Sequence, residues 1–164
     1  MESTRPGGNE LRSRPALPED ETLLHALFAE DKAAQFAGMA EALARSLIEM
    51  QYRGQGMSYA ALYPQAVNWI LLDEDGKPIG RLLLDVQPDC LRIVDIAILA
   101  ACRNQGRGTQ ALRQCQQQAA EAGSDLRLRV MRFNPAFRLY ERMGFRAVSE
   151  DEVAVEMQWS TTNY

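Results

Sequence analysis

The segment Arg103-Asn104-Gln105-Gly106-Arg107-Gly108-Thr109 follows a run, Leu91 to Leu99, that is apolar apart from Arg92 and Asp95. A strand that enters a glycine turn and leaves it as a helix gathers unpaired backbone N–H groups and the positive end of the helix dipole at one point. Such a point holds anions. Gly106 and Gly108 have no side chain, so a pyrophosphate can reach the backbone, and Thr109 adds a hydroxyl in the first helical turn. A Walker loop would end in Gly-Lys-Ser/Thr, which is absent. A dinucleotide fingerprint needs G-x-G-x-x-G early in a parallel sheet with an acid about 20 residues further on, whereas this loop has one G-x-G and follows a β-meander. A tight turn without a ligand would explain a bare G-x-G equally well.

Other residues with chemical potential are few. Asp95 is a carboxylate inside an apolar strand, where it needs a partner or a function: a base, a substrate anchor, or a salt bridge with an arginine. His25 stands alone on an early helix and reads as a surface residue. Cys90, Cys102 and Cys115 lack CxxC spacing and read as reduced thiols, with no disulfide framework and no metal site expected.

The elements that position these residues follow from period and punctuation. Leu11 to Ala16 predicts a short strand, and Pro18-Glu19-Asp20-Glu21 predicts a helix start that continues through Phe28. Phe36, Met39, Ala40, Leu43, Leu47 and Met50 recur at helical spacing, which predicts an amphipathic second helix over residues 32–53, ended by Gly54 and Gly56. Val67 to Leu72 and Ile79 to Val86 read as a hairpin around Asp73-Glu74-Asp75-Gly76. The apolar run Leu91 to Leu99 reads as the central strand, covered on both faces. Gly108, Leu112, Cys115 and Ala119 mark the inner stripe of the helix after the loop, with Gly123 as its C-cap. Leu126, Leu128 and Val130 alternate with Arg127 and Arg129 as a strand. Asn134-Pro135 starts a short helix that Gly144 closes, and Phe145 to Val148 and Val153 to Trp159 form a final antiparallel pair.

In this setting the loop resembles the R/Q-x-x-G-x-G/A motif of GNAT-type N-acetyltransferases. The downstream residues Asn134, Ala136, Tyr140, Glu141, Gly144 and Phe145 resemble the family's second motif, Asn-x-x-Ala-x-x-x-Tyr-Glu-x-x-Gly-Phe. The resemblance spans Leu11 to Trp159. It implies an α/β GNAT fold, with a mixed, mostly antiparallel sheet of six or seven strands flanked by about four helices. It also implies acetyl-CoA as co-substrate, with the pyrophosphate on Arg103, Asn104, Gln105, Gly106, Arg107, Gly108 and Thr109. The pantetheine arm would lie along Ile96, Ala97 and Ile98, and a backbone N–H near Ile98 would serve as oxyanion donor. Tyr140 matches the tyrosine that protonates the CoA thiolate, and Asn134 the asparagine that contacts the cofactor, one residue closer to the tyrosine than in many relatives. Some relatives carry a glutamate on the strand after the loop helix. Here that strand holds Arg127 and Arg129 instead, so the base is unassigned and Asp95 is its candidate.

The acceptor in this fold lies between the second helix with its following loop and the last hairpin, which makes Gln51 and Tyr59 the candidate substrate contacts. The implied acceptor is a primary amine, small or peptidic, with the small amine favoured. The alternatives are a non-catalytic CoA-binding module and an acetyltransferase of protein N-termini or lysines. At 164 residues the chain fits one domain, residues 10–164, behind a flexible tail, residues 1–9. A net charge of -4 argues against nucleic acid or an anionic membrane as partner. No stretch nears the roughly 20 apolar residues of a membrane span. A cytoplasmic protein is expected, with a homodimer as one option.

Overall fold

The computed structural model describes residues 11–161; the expected tail, Met1 to Asn9, lies outside them. Its strands are β1 (Arg12–Pro15), β2 (Val67–Leu72), β3 (Pro78–Val86), β4 (Cys90–Ile98), β5 (Asp125–Met131), β6 (Arg146–Glu150) and β7 (Ala154–Trp159). They form one seven-stranded sheet in the order β1-β2-β3-β4-β5-β7-β6. Every neighbouring pair is antiparallel except β4 with β5. The α-helices are α1 (Glu21–Lys32), α2 (Glu41–Leu62), α3 (Arg107–Glu121) and α4 (Ala136–Arg142). This is the mixed, mostly antiparallel architecture that the family resemblance implies.

Apolar residues on both faces of the central strands give the sheet two cores. On one face Leu82, Leu84, Leu91, Ile93, Leu126 and Leu128 meet Leu112, Cys115 and Ala119 of α3, the stripe expected from its spacing. On the other, α1 packs on β3 and buries Leu24, Leu27 and Phe28. All three cysteines are free thiols, with Cys90 and Cys115 buried.

One irregularity in β4 shapes everything beyond it. Leu84 faces Ile93 and Leu83 faces Asp95, so Val94 has no opposite number on β3. A one-residue bulge inverts the alternation of a strand. Before it, Leu91 and Ile93 lie in the core under α3; after it, Ile96 and Ile98 pack there. Asp95 and Ala97 therefore turn to the opposite face, alongside Leu83 and Arg81 of β3. At the same place the parallel ladder stops. β5 pairs with β4 only from Cys90 to Ile93, and from Arg129 onward it pairs with β7 alone. The second half of β4 thus presents an open backbone edge toward β5.

Two helix expectations are corrected. The first helix runs four residues beyond Phe28, to Lys32, and the second begins at Glu41 rather than near residue 32. A short 3-10 turn, Ala33–Phe36, and a bend at Gly38 separate them. The second helix passes through Gly54 and Gly56 to Leu62. A glycine in a helix costs about 1 kcal/mol relative to alanine but ends the helix only where the backbone turns left-handed, and neither of these does. The inward stripe is also rotated from the expected one. Of that stripe Phe36 is buried and Leu47 half-buried, but Met39, Leu43 and Met50 are exposed, whereas Ala44, Ile48, Tyr52, Gln55 and Tyr59 are half-buried. Tyr52 fixes that rotation, because its ring packs edge-on against Phe28 and His25 and its hydroxyl donates to Glu21.

The close approach of β3 to β4 depends on Gly80. A Cβ there would stand 2.4 Å from the carbonyl oxygen of Ala97 and 2.8 Å from Cδ1 of Ile98. The first is backbone and cannot move aside alone. Gly80→Ala is expected to destabilise the protein by about 1–3 kcal/mol, the range for overpacking a filled interior, measured as a lowered urea midpoint.

Candidate functional site

The open edge of β4, the turn after it and the start of α4 enclose one cleft of about 720 Å³. Asp95, Ile96, Ala97 and Ile98 form its floor, Arg103, Asn104, Gly106, Arg107, Gly108 and Thr109 one end, and Asn134 and Tyr140 a wall. Residues far apart in sequence are brought together here because β4 leaves β5 at Ile93. Gln105 does not line the cleft; its side-chain oxygen accepts from Arg107.

The glycine turn is built as an anion cradle. Asn104 and Gly106 both adopt left-handed backbone angles, with φ of 63° and 77°, and α3 begins at the next residue, Arg107. A helix leaves its first four N–H groups without intrahelical acceptors, and here they open on the cleft beside glycines whose missing side chains leave the backbone uncovered. Nε of Arg103 donates to the carbonyl of Ile98 at 3.0 Å, tying the turn to the end of β4. Arg107 is held by Glu74 of the β2–β3 turn at 3.1 Å. Both arginines line the cleft beside the start of α3, a disposition suited to a CoA-type pyrophosphate.

Tyr140 projects from α4 with 8% of its surface exposed, its ring edge-on to Phe145 at 5.8 Å. Its hydroxyl makes no hydrogen bond to any described residue. Burial, with a smaller contribution from the Asp95 charge, pushes its pKa up to about 12. Asn134 does two things: its side-chain oxygen accepts from the Ala136 N–H at 2.9 Å, capping α4, and its amide nitrogen stays available toward the cleft.

Asp95 lies 3.5 Å from Nε of Arg81, with 31% of its side chain open to the cleft. Burial raises its pKa above the ordinary carboxylate value; Arg81 pulls the other way, Asp31 adds to the rise, and the Ile96 N–H stabilises the charged form. The acid absent from β5 has no substitute on β7, since Glu156 is paired with Arg92. Arg127 and Arg129 of β5 are engaged by Gln158 and Asp151.

Of the two expected substrate contacts, Tyr59 lines a second cavity adjoining the cleft, and Gln51 lines neither; Gln55, one turn on, lines both. Tyr59 is helical rather than in a loop. His25 is more than a surface residue: its Nε2 stands 2.7 Å from Glu49 and joins α1 to α2. Sequence reasoning missed Arg81 and Asp31, which also line the cleft. The signal for Arg81 was the one that marks Asp95, a charge flanked by apolar residues in a strand.

The comparisons with known proteins agree with this geometry. Residues 36–145 match the acetyltransferase (GNAT) family. No curated protein matches the sequence. Among solved structures, PaiA N-acetyltransferase from Thermoplasma acidophilum in complex with coenzyme A is similar with a TM-score of 0.69 at 18% identity, covering 93% of this chain and 99% of that one. An acetyltransferase from Thermus thermophilus gives 0.64 at 21% identity, with 92% and 97% covered. A GCN5-related N-acetyltransferase from Rhodopseudomonas palustris gives 0.66 at 19%, with 93% and 96% covered. At these identities the likeness is one of fold. The sequence match over residues 36–145 carries the assignment: the chain belongs to the GNAT family of acetyltransferases and is an N-acetyltransferase by class. No helix of the described residues is long and apolar enough to cross a membrane.

Because the Tyr140 phenol is held at about 12, it stays protonated across the working range of pH. The phenolate absorbance of the wild type minus that of Tyr140→Phe is expected to stay flat below about pH 10 and to rise only above it.

Proposed function

We propose that this chain transfers the acetyl group of acetyl-CoA to a primary amine by direct attack, with Tyr140 as proton donor and Asp95 as proton acceptor. The observation that carries the reading is the single cleft that holds the anion cradle, the open edge of β4, the Tyr140 hydroxyl without a described partner and a carboxylate of raised pKa. The thioester supplies an activated acyl carbon. The residues of the chain do the rest.

The cradle from Asn104 to Thr109, with Arg103 and Arg107, fixes the phosphates, and the open backbone of Ile96 to Ile98 aligns an extended arm as an added strand would be aligned. The same edge offers a backbone N–H to the carbonyl oxygen as negative charge develops there. Asp95 holds the amine at the floor of the cleft. As the N–C bond forms the nitrogen becomes far more acidic than a free ammonium, and Asp95 takes its proton while the C–S bond breaks. Tyr140 donates a proton to the departing sulfur, so the products are the amide and the free CoA thiol. A phenol near 12 suits the donor role, because it keeps its proton until a thiolate forms beside it.

Acetyl-CoA at about 100 times its dissociation constant is expected to stabilise the protein by about 2.7 kcal/mol, seen as a raised melting temperature. Tyr140→Phe should keep that shift while kcat falls about 100-fold; no shift with millimolar acetyl-CoA would overturn the reading.

Asp95 acts only when deprotonated and its pKa is raised, so kcat/KM should climb with pH along a limb above the ordinary carboxylate range. In Asp95→Asn that limb disappears and kcat/KM falls about 100-fold. A limb that survives the substitution would assign it to another group.

A further inference from the structure

Arg81 is the least expected charge in the fold. It is 8% exposed, in the middle of β3, and its only ionic partner among the described residues is Asp95, 3.5 Å from Nε with no hydrogen bond formed. A guanidinium carries five N–H groups, and a buried one is normally saturated. Only Nε is sealed from solvent, so the terminal nitrogens face open space. That space is the second cavity, about 770 Å³, where the guanidinium lies 5.9 Å from the ring centre of Tyr59. Asn68 of β2, in the same wall, has a sealed side-chain oxygen without a partner, and its amide makes no hydrogen bond to any described residue. Arg81 and Asn68 thus form a donor-rich patch that the protein leaves unused.

Arg81 borders both cavities. Its Nε side looks toward Asp95 in the cleft, and its planar head toward Tyr59 and Asn68 next door. Carboxylate recognition by a guanidinium with a neighbouring amide is planar and bidentate. We propose that Arg81 and Asn68 bind a carboxylate of the acceptor while Asp95 holds its amine, so that the acceptor is an amino acid or a similarly compact amino carboxylate. This rests on the acetyl-transfer reading above. The charge pattern also bears on the main competitor. A polyamine would bring a second cation beside the Arg81 guanidinium, where a carboxylate brings the opposite charge. Tyr59 and Tyr63, 6.4 Å apart, give the side chain of such an acceptor an aromatic wall.

The test uses matched pairs that differ only in the carboxylate: L-phenylalanine against phenethylamine, and L-methionine against 3-(methylthio)propylamine. Thiol release from acetyl-CoA gives kcat/KM, and calorimetric titration into protein saturated with CoA gives binding without turnover. The amino acids are expected to exceed their decarboxylated partners by at least tenfold in both. Arg81→Met should bring the ratio near one, chiefly through KM. Asn68→Asp, which keeps volume and adds a like charge, should lower the ratio should Arg81→Met fail to fold. Amines that bind or react as well as the amino acids in the wild type overturn the proposal, as does an amino acid that neither binds nor reacts, or a ratio unchanged in both variants. Absence of any CoA-induced stabilisation overturns the acetyl-transfer reading instead, which keeps the two failures distinct.

Discussion

The candidate site depends on the parting of β4 from β5. A parallel pair is held by evenly spaced hydrogen bonds, and it continues until something forces the strands apart. Here the Val94 bulge supplies the force, since it bends β4 just where pairing with β5 ends. Had the ladder run on to Ile98, the N–H and C=O groups of that segment would be used up within the sheet, and the space between Tyr140 and β4 would be filled. Separation leaves a row of main-chain donors and acceptors in a protein interior, an arrangement tolerated only where something else can pair with them.

The bulge has a second effect, on charge. By inverting the alternation it moves Asp95 out of the core under α3 and onto the face that carries Arg81. Two charges set among the apolar residues of β3 and β4 are a burden on stability, because their mutual attraction rarely exceeds what is lost on leaving water. At 3.5 Å and without a hydrogen bond they do not even form a good pair. A fold under selection for stability alone would replace both with apolar residues. Their presence at the junction of two cavities is better understood as readiness for a ligand that completes them.

How much of this could be read from the sequence differs by element. The strands and α3 were legible because alternation and a period near 3.6 point to one partner surface each, and Gly123 and Gly144 mark ends where the backbone does turn left-handed. The glycine turn and Tyr140 were legible as a pair of spaced motifs. The second helix was not, because Leu43 and Met50 look like its inner face until Tyr52, Phe28 and His25 are seen to set the rotation. Gln51 lies on the same face as Gln55 but one turn short of the two cavities, a distance along the axis that periodicity does not reveal. The bulge left no trace, since Ile93-Val94-Asp95-Ile96 contains neither glycine nor proline, and without it the register that sets Arg81 beside Asp95 cannot be deduced.

α2 contributes no fully buried residue, exposes Leu43, Met50, Met57 and Leu62, and carries two glycines in its middle. It is held to the body along half-buried side chains rather than a buried stripe. The same helix supplies Gln55 and Tyr59 to the cavity walls. Under the proposed function the donor would be bound by the strands and α3 and the acceptor beside α2, parts that differ in how deeply their side chains are buried. A lineage built on this plan can change what it acetylates while leaving untouched how it does so.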